Sequence, residues 1–476
     1  MEQKKVNTSL LLKSGFWYTV SSYLTRAMVF ITMPIFARLM SKSEYGDFSV
    51  YANWQQILLI ICGLEVYSAL NRARFDFPEK KDLDGYITSS LVLCTLVTAV
   101  VFVLYLIVPN VFDRLFLIDR KYMYIMFAYL FTYPAFMMFQ AKQRIEYRYK
   151  LNAAISFALT ILSSILAVIL VFVMKSDRLY GRIIGQFVLS IAVGIIFYLY
   201  FVKVSHTVSK KYFKYALRIG LPMVFSYLAS RVLLASDTFV LKHMCTAEEV
   251  SYLSVTHTSS HILILLVQTI NGAWAPWFYD MLAAKDYPTI KKAFSYYLWG
   301  SIALTACILL IGPELILVLG GSKYKEAVYI LPAYTLGGVF TVLTAQFGSL
   351  ETYYKKPEYA AVLTAITAAL NVGLDILGVK IWGYQAVVYA TLICQVLLVI
   401  AHYIITGKMQ VKETLTPGNL TRAMLVSILL VPISLLLYES NVIRYIANAL
   451  IGITVVVLTI KYKENIHNLL KKIKNR

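Results

Sequence analysis

Charge is scarce in this chain. Only 15% of its 476 residues are Asp, Glu, Lys or Arg, against roughly a quarter in ordinary soluble domains, while 59% are apolar and the mean hydropathy is +0.67. That balance excludes a water-soluble globular domain and calls for segments that cross a bilayer. Cysteine is too sparse to staple anything: Cys62, Cys94, Cys245, Cys307 and Cys394 form no CxxC pair and fall in or at the ends of apolar runs. Neither a disulfide framework nor a thiolate metal site is expected. There is no GxxxxGK followed by Ser or Thr, and no GxGxxG or GxSxG context, so nucleotide hydrolysis and serine-nucleophile chemistry have no support. "HTSSH", His257 to His261, puts two histidines on one helix face, but Thr258 stands where HExxH needs glutamate and no third ligand is evident. No metal, no cofactor and no enzymatic activity are expected.

What is there is hydrocarbon in span-sized lengths. Fourteen segments of about 20 mostly apolar residues lie near 15–37, 47–70, 87–108, 121–140, 151–174, 182–202, 216–241, 250–273, 293–312, 327–350, 359–379, 384–406, 420–438 and 443–460. The basic start "MEQKK" leads into a run broken by Arg26 with no small-residue cleavage site, which reads as a retained first helix. An even number of spans puts both ends on one side. The two ends and alternate loops, among them "AKQRIEYRYK", hold thirty Lys and Arg, the opposite loops thirteen. The richer side is expected to be cytoplasmic. Basic loops on an anionic leaflet also account for the net charge of +20, so no nucleic-acid partner is expected.

The chain repeats itself weakly. Shifted by 205 residues, Gly15 meets Gly220, Arg26 meets Arg231, Glu44 meets Glu249, and Glu146 meets Glu351; a shift of 204 lays Pro109 on Pro313. A repeat of six spans inserts both copies in the same orientation, so an axis along the membrane normal should relate them. The expected architecture is all-α and polytopic: a lobe over 1–205 (helices 1–6), a second over 206–410 (helices 7–12), related by pseudo-two-fold symmetry, and 411–476 with helices 13–14 and a basic cytoplasmic tail.

Polar side chains inside spans should face a cavity or another helix. Ser22 belongs to a stripe in the first span; Tyr51, Gln55 and Glu65 align in the second; Asn152, Ser156, Thr160 and Ser163 in the fifth; His257, His261, Gln268 and Asn271 in the eighth; Asn371 and Asp375 in the eleventh. Ser, Thr and Asn often only join helices. Charge at mid-membrane is costlier, which points to Arg26 and Arg231 as functional cations and to Glu65, Asp237 and Asp375 as ion-coupling groups or counter-ions. Tyrosines near the proposed cavity, such as Tyr51, Tyr133 and Tyr227, combine an apolar face with a hydroxyl, a combination suited to sugar rings.

"KSGFWYTVSSYLTRAMVFITMPIFARLMSKSEYGDFSVY" resembles the opening of Wzx-type polysaccharide flippases, and "RIGLPMVFSYLASRVLLASDTFVLKHM" resembles the start of their second lobe, with Ser251 standing where the family often has glycine. The resemblance implies the multidrug/oligosaccharidyl-lipid/polysaccharide exporter superfamily, a central cavity and alternating access. It further implies an undecaprenyl-pyrophosphate-linked oligosaccharide repeat unit turned from inner to outer leaflet of the bacterial inner membrane, for capsule, O-antigen or exopolysaccharide synthesis. Membrane lipids, a glycan polymerase, a chain-length regulator and a coupling H+ or Na+ are the implied partners. Arg26 and Arg231 would fork onto the pyrophosphate, since guanidinium stays charged and bonds phosphate oxygens in pairs.

Two alternatives stay open. A multidrug exporter of the same superfamily should have an acidic pore for organic cations, which two mid-membrane arginines oppose. A membrane-embedded glycan polymerase or ligase should carry a long external catalytic loop, and none is present.

Overall fold

A computed structural model describes residues 27–146, 148–356, 358–409 and 414–461. Among these residues nine helices are long and apolar enough to cross a membrane, ten if one bent pair counts as a single span. The chain is an all-α, multi-pass membrane protein, and the described residues of the fourteen predicted segments are mostly helical, 15–26 of the first lying outside them. Large side chains such as Ile107, Val173, Ile404 and Leu436 stand exposed along the helices, an arrangement stable only against lipid.

Two compact units divide the described residues. One holds those up to Ala235 together with Thr246–Ser251, the other Ser236–Cys245 and those from Tyr252 on. The first is built from α1 (Ala27–Leu39), α2 (Lys42–Gly63), α3 (Val66–Asp76), α4 (Lys80–Ile107), α5 (Pro109–Phe116), α6 (Arg120–Ile145), α7 (Tyr149–Val173) and α8 (Arg178–Val204). The chain passes between units within α9 (Lys210–Met244) and α10 (Ala247–Ala283). The second unit adds α11 (Tyr287–Leu310), α12 (Gly312–Leu319), α13 (Leu331–Thr335), α14 (Gly337–Tyr353), α15 (Glu358–Trp382), α16 (Ala386–Ile405), α17 (Pro417–Leu437) and α18 (Asn441–Lys461).

Several sequence matches acquire physical causes. Glu44 and Glu249 are third-residue partners in reciprocal caps. Ser41 N donates to Glu44 Oε2 at 2.7 Å while Glu44 N donates to Ser41 Oγ at 3.2 Å; Thr246 N donates to Glu249 Oε2 at 2.8 Å while Glu249 N donates to Thr246 Oγ1 at 3.4 Å. Each satisfies backbone donors that a helix start leaves orphaned. Pro109 and Pro313 each sit in the first turn of an eight-residue helix, α5 and α12, where a missing N–H costs nothing.

Two predicted spans are broken. The second ends at Gly63 and resumes at Val66, because Leu64 and Glu65 both take left-handed conformations, φ 49° and 51°. The break persists in a buried setting because its carbonyls find neighbours: Cys94 Sγ donates to Gly63 O at 3.3 Å, and Gly220 leaves room for Leu64 O. Tyr51, Gln55 and Glu65 therefore do not share one continuous helix face. The tenth span bends by 65° between Ser322–Val328 and Leu331–Tyr353, where Pro332 removes a donor at the start of α13.

Candidate functional site

Polar chemistry collects at two places, one in each unit. In the first unit Arg231, on α9, donates from Nη2 to Asn53 Oδ1 of α2 at 2.9 Å. Asn53 is oriented for this: its Nδ2 donates to Ser49 O at 3.0 Å, one turn back, which turns the amide oxygen toward the arginine. Arg231 lines a cavity of about 380 Å³ with Glu65, Tyr67, Tyr227, Ser230 and two leucine-type side chains, Ile60 and Leu234.

Glu65 sits at the break between α2 and α3 and is buried. Its oxygens accept from Tyr67 Oη at 2.6 Å and Ser68 Oγ at 3.0 Å. Local hydroxyls thus hold the carboxylate. The break is what brings Tyr67 round, since two residues on it would face elsewhere on a straight helix, whereas Ser68, three residues on, keeps the face of Glu65.

In the second unit Asp237, six residues beyond Arg231 on the same helix, meets α15 and α16. Thr391 Oγ1 contacts Asp237 Oδ2 at 3.0 Å and Oδ1 at 3.2 Å. Ser236 Oγ donates to Asn371 Oδ1 at 2.9 Å, and Asn371 Nδ2 donates to Asp375 Oδ1 at 3.3 Å and Thr391 Oγ1 at 3.1 Å. Asp375 is fully buried, its Oδ2 meets no donor, and its carboxyl group lies within hydrogen-bonding reach of that of Asp237. The cluster is two carboxyls, an amide and two hydroxyls, an all-oxygen coordination surface apart from the amide nitrogen. Such a set suits a proton shared between the carboxyls or a hard monovalent cation.

The remaining predicted residues are dispersed. Gln55 lines a second cavity inside the first unit. Tyr51 is buried with its ring 5.5 Å from that of Phe187. His257 and His261 stack at 5.6 Å, and Tyr334 packs 5.6 Å from His257. Asn271 accepts from Tyr297 Oη at 2.8 Å. Gln268 lies on α10, and Arg26 and Ser22 lie outside the described residues. Among the described residues no three His, Cys, Asp or Glu side chains group as a metal site. Sequence reading missed Asn53, Ser236 and Thr391. Each is a neutral polar residue in an apolar run, and only its distance to a charged neighbour distinguishes it from ordinary interhelical glue.

Residues 11–282 match the family described as polysaccharide biosynthesis protein. Lsg locus protein 1 of Haemophilus influenzae is 23% identical over 416 residues, spanning 84% of this chain and 98% of that one. The solved structure of the lipid II flippase MurJ in an inward closed conformation aligns with a TM-score of 0.69 at 16% identity, over 94% of this chain and 99% of that chain. An inward-facing multidrug resistance MATE transporter of the MOP superfamily aligns at 0.63 and 15% identity, over 82% and 95%. At these identities the structures establish a shared fold.

Proposed function

The chain belongs to the polysaccharide biosynthesis protein family, and on that premise we propose that it flips undecaprenyl-pyrophosphate-linked oligosaccharide repeat units from the inner to the outer leaflet of the bacterial cytoplasmic membrane by alternating access. Residues 1–205 and 206–410 act as the two lobes, and both termini stay cytoplasmic. A fold shared with a protein named for flipping lipid II supports the reading. The observation that carries it is Arg231 in the wall of a cavity that Glu65 also lines, with the Glu65 carboxylate held by the Tyr67 and Ser68 hydroxyls. Asn53, the acceptor 2.9 Å from Arg231 Nη2, is a neutral amide, and a guanidinium is the cation that forks onto phosphate oxygens. Arg26, its counterpart in the repeat, supplies the second cation.

The cluster of Asp237, Asn371, Asp375 and Thr391 couples the cycle to a proton or sodium ion. Two buried carboxyls in contact cannot both carry charge without a cation between them. Binding that cation neutralises the pair, and releasing it restores repulsion, which gives the ion a differential interaction with two conformations.

The test is reconstitution in proteoliposomes with a fluorescent undecaprenyl-pyrophosphate trisaccharide, read by the fraction that an added lectin can reach. Expected is protein-dependent equilibration between leaflets, faster under an imposed ion gradient. A rate equal to that of protein-free vesicles sinks the reading, and accumulation of ethidium in its place favours an exporter of organic cations.

A further inference from the structure

A second cavity, about 460 Å³, lies inside the first unit among α1, α2, α6, α7 and α8. Its volume falls in the roughly 300–1,000 Å³ range of small-molecule sites. The wall is polar for a membrane bundle. Gln55, Gln56, Gln140 and Gln186 contribute amides; Ser156, Thr160, Ser163 and Ser190 contribute hydroxyls. Gln140 Nε2 donates to Ser156 Oγ at 2.8 Å, but Ser163 Oγ, on a side chain only 6% exposed, has no partner. A buried hydroxyl left unpaired is unfavourable, so the cavity favours contents that hydrogen-bond, water or a polar ligand, over hydrocarbon.

Aromatic faces complete the wall. Tyr129 and Tyr133 stack at 4.4 Å, and Phe187 meets Tyr129 edge-on at 5.0 Å. Amides and hydroxyls beside ring faces match the hydroxyl edges and C–H faces of a sugar. A hydrocarbon tail would leave the amides and hydroxyls unsatisfied.

Charge narrows the class. Arg182 of α8 lines the cavity, its guanidinium 3.6 Å from the Phe48 ring, 4.3 Å from Phe36 and 4.8 Å from Tyr45. The rings fix it in place and hold it out of water, where a charge-assisted bond is strongest. Among the described residues no carboxylate lines the cavity. A lining with a guanidinium and no carboxylate suits an anionic group better than an organic cation.

We infer that this cavity is a glycan subsite that takes one or two sugar residues, one of them bearing a carboxylate that meets Arg182. The inference rests on the flippase reading, because a soluble sugar gives a membrane lobe no reason to hold such a pocket. It adds that the repeat unit includes an acidic sugar and that this recognition is separate from the headgroup site at Arg231.

The experiment uses the purified full-length chain in detergent and two probes, a disaccharide ending in glucuronic acid and the same disaccharide ending in glucose, measured by saturation-transfer NMR and equilibrium dialysis. The acidic probe should bind about tenfold or more tighter, one charge-assisted bond's worth. Arg182→Gln should level that preference while keeping the neutral probe. Ser163→Leu should remove both. Because a filled bundle can misfold, Gln186→Cys is made as well and blocked after purification with a bulky maleimide, with wild type given the same reagent as control. Blocking should abolish binding in a protein already folded.

No binding of the acidic probe to wild type, equal binding of both probes, or unchanged binding after blocking would each overturn the subsite. Flipping in vesicles is read separately. Flipping without disaccharide binding ends the subsite and leaves the function; disaccharide binding without flipping keeps the pocket and ends the function.

Discussion

Arg231 Nη2 lies 2.9 Å from Asn53 Oδ1, which ties the cation of α9 to a neutral amide of α2. A neutral acceptor orients a guanidinium without itself adding a counter-charge, which suits a phosphate site. Arg231→Ala should lower the flipping rate by roughly one to two decades, the worth of a buried charge-assisted bond, at unchanged membrane abundance. Arg231→Lys should recover part of it as a point charge without the fork. The check is vesicle flipping alongside immunoblotted abundance. If Arg231→Ala depletes the protein and Glu65→Gln in the same chain restores it, the arginine serves folding and not substrate.

Asp375→Asn keeps the shape of the second cluster and removes its proton. In a cluster where Asp237, Asn371 and Thr391 already interlock, the amide should preserve the fold while abolishing the response of flipping to imposed H+ or Na+ gradients. Equilibration without a gradient should persist. Wild-type gradient response in the Asp237→Asn, Asp375→Asn double variant would place coupling elsewhere.

Much of this was legible in sequence because its causes are local. Hydropathy alone locates apolar helices, and i, i+4 spacing puts Asn371 and Asp375 on one face, where both are buried. Of Asn152, Ser156, Thr160 and Ser163, read as one stripe, the last three line one cavity and Asn152 does not. What was not legible depends on partners far away in the chain. Leu64 and Glu65 look like ordinary span residues, and nothing near them announces a left-handed pair; Gly220, more than 150 residues on, is part of what accommodates it. Thr391 is a threonine in an apolar run until Asp237 is placed beside it. Arg182 is not singled out in the sequence, since the three rings gathered around it from α1 and α2 leave no trace near position 182.

Gly220 offers a direct test of the break in α2. A Cβ built there would stand 2.3 Å from Leu64 O, too close for any real contact and against backbone that cannot step aside cheaply. Gly220→Ala should lower stability by about 1–3 kcal/mol, the usual cost of overpacking, seen as a drop in the thermal midpoint of the solubilised protein. An unchanged midpoint would mean that α9 and the break move apart freely.

The last prediction concerns pH. Glu314, on α12, accepts from Arg444 Nη1 at 2.7 Å and Nη2 at 2.6 Å, and from Tyr445 Oη at 2.6 Å. Arg444 is almost wholly buried on α18, so this fork fastens α18 to α12. Desolvation pushes the Glu314 carboxyl up, but the Tyr445 hydroxyl, its own backbone and the Arg444 guanidinium together outweigh it and hold the group below its ordinary value. A depressed carboxyl contributes stability that is complete above the unfolded value of about 4.3 and is lost as pH falls through the folded one. Thermal midpoints of wild type and Glu314→Gln should therefore differ most at neutral pH, wild type being higher, and converge as the solution is acidified below the ordinary carboxylate range. The amide keeps one acceptor and turns the other into a donor, much as protonation does, so the part of the gap that closes on acidification reports the charged fork. A gap that stays constant through acidification would show that the carboxylate's charge contributes nothing to fastening α18.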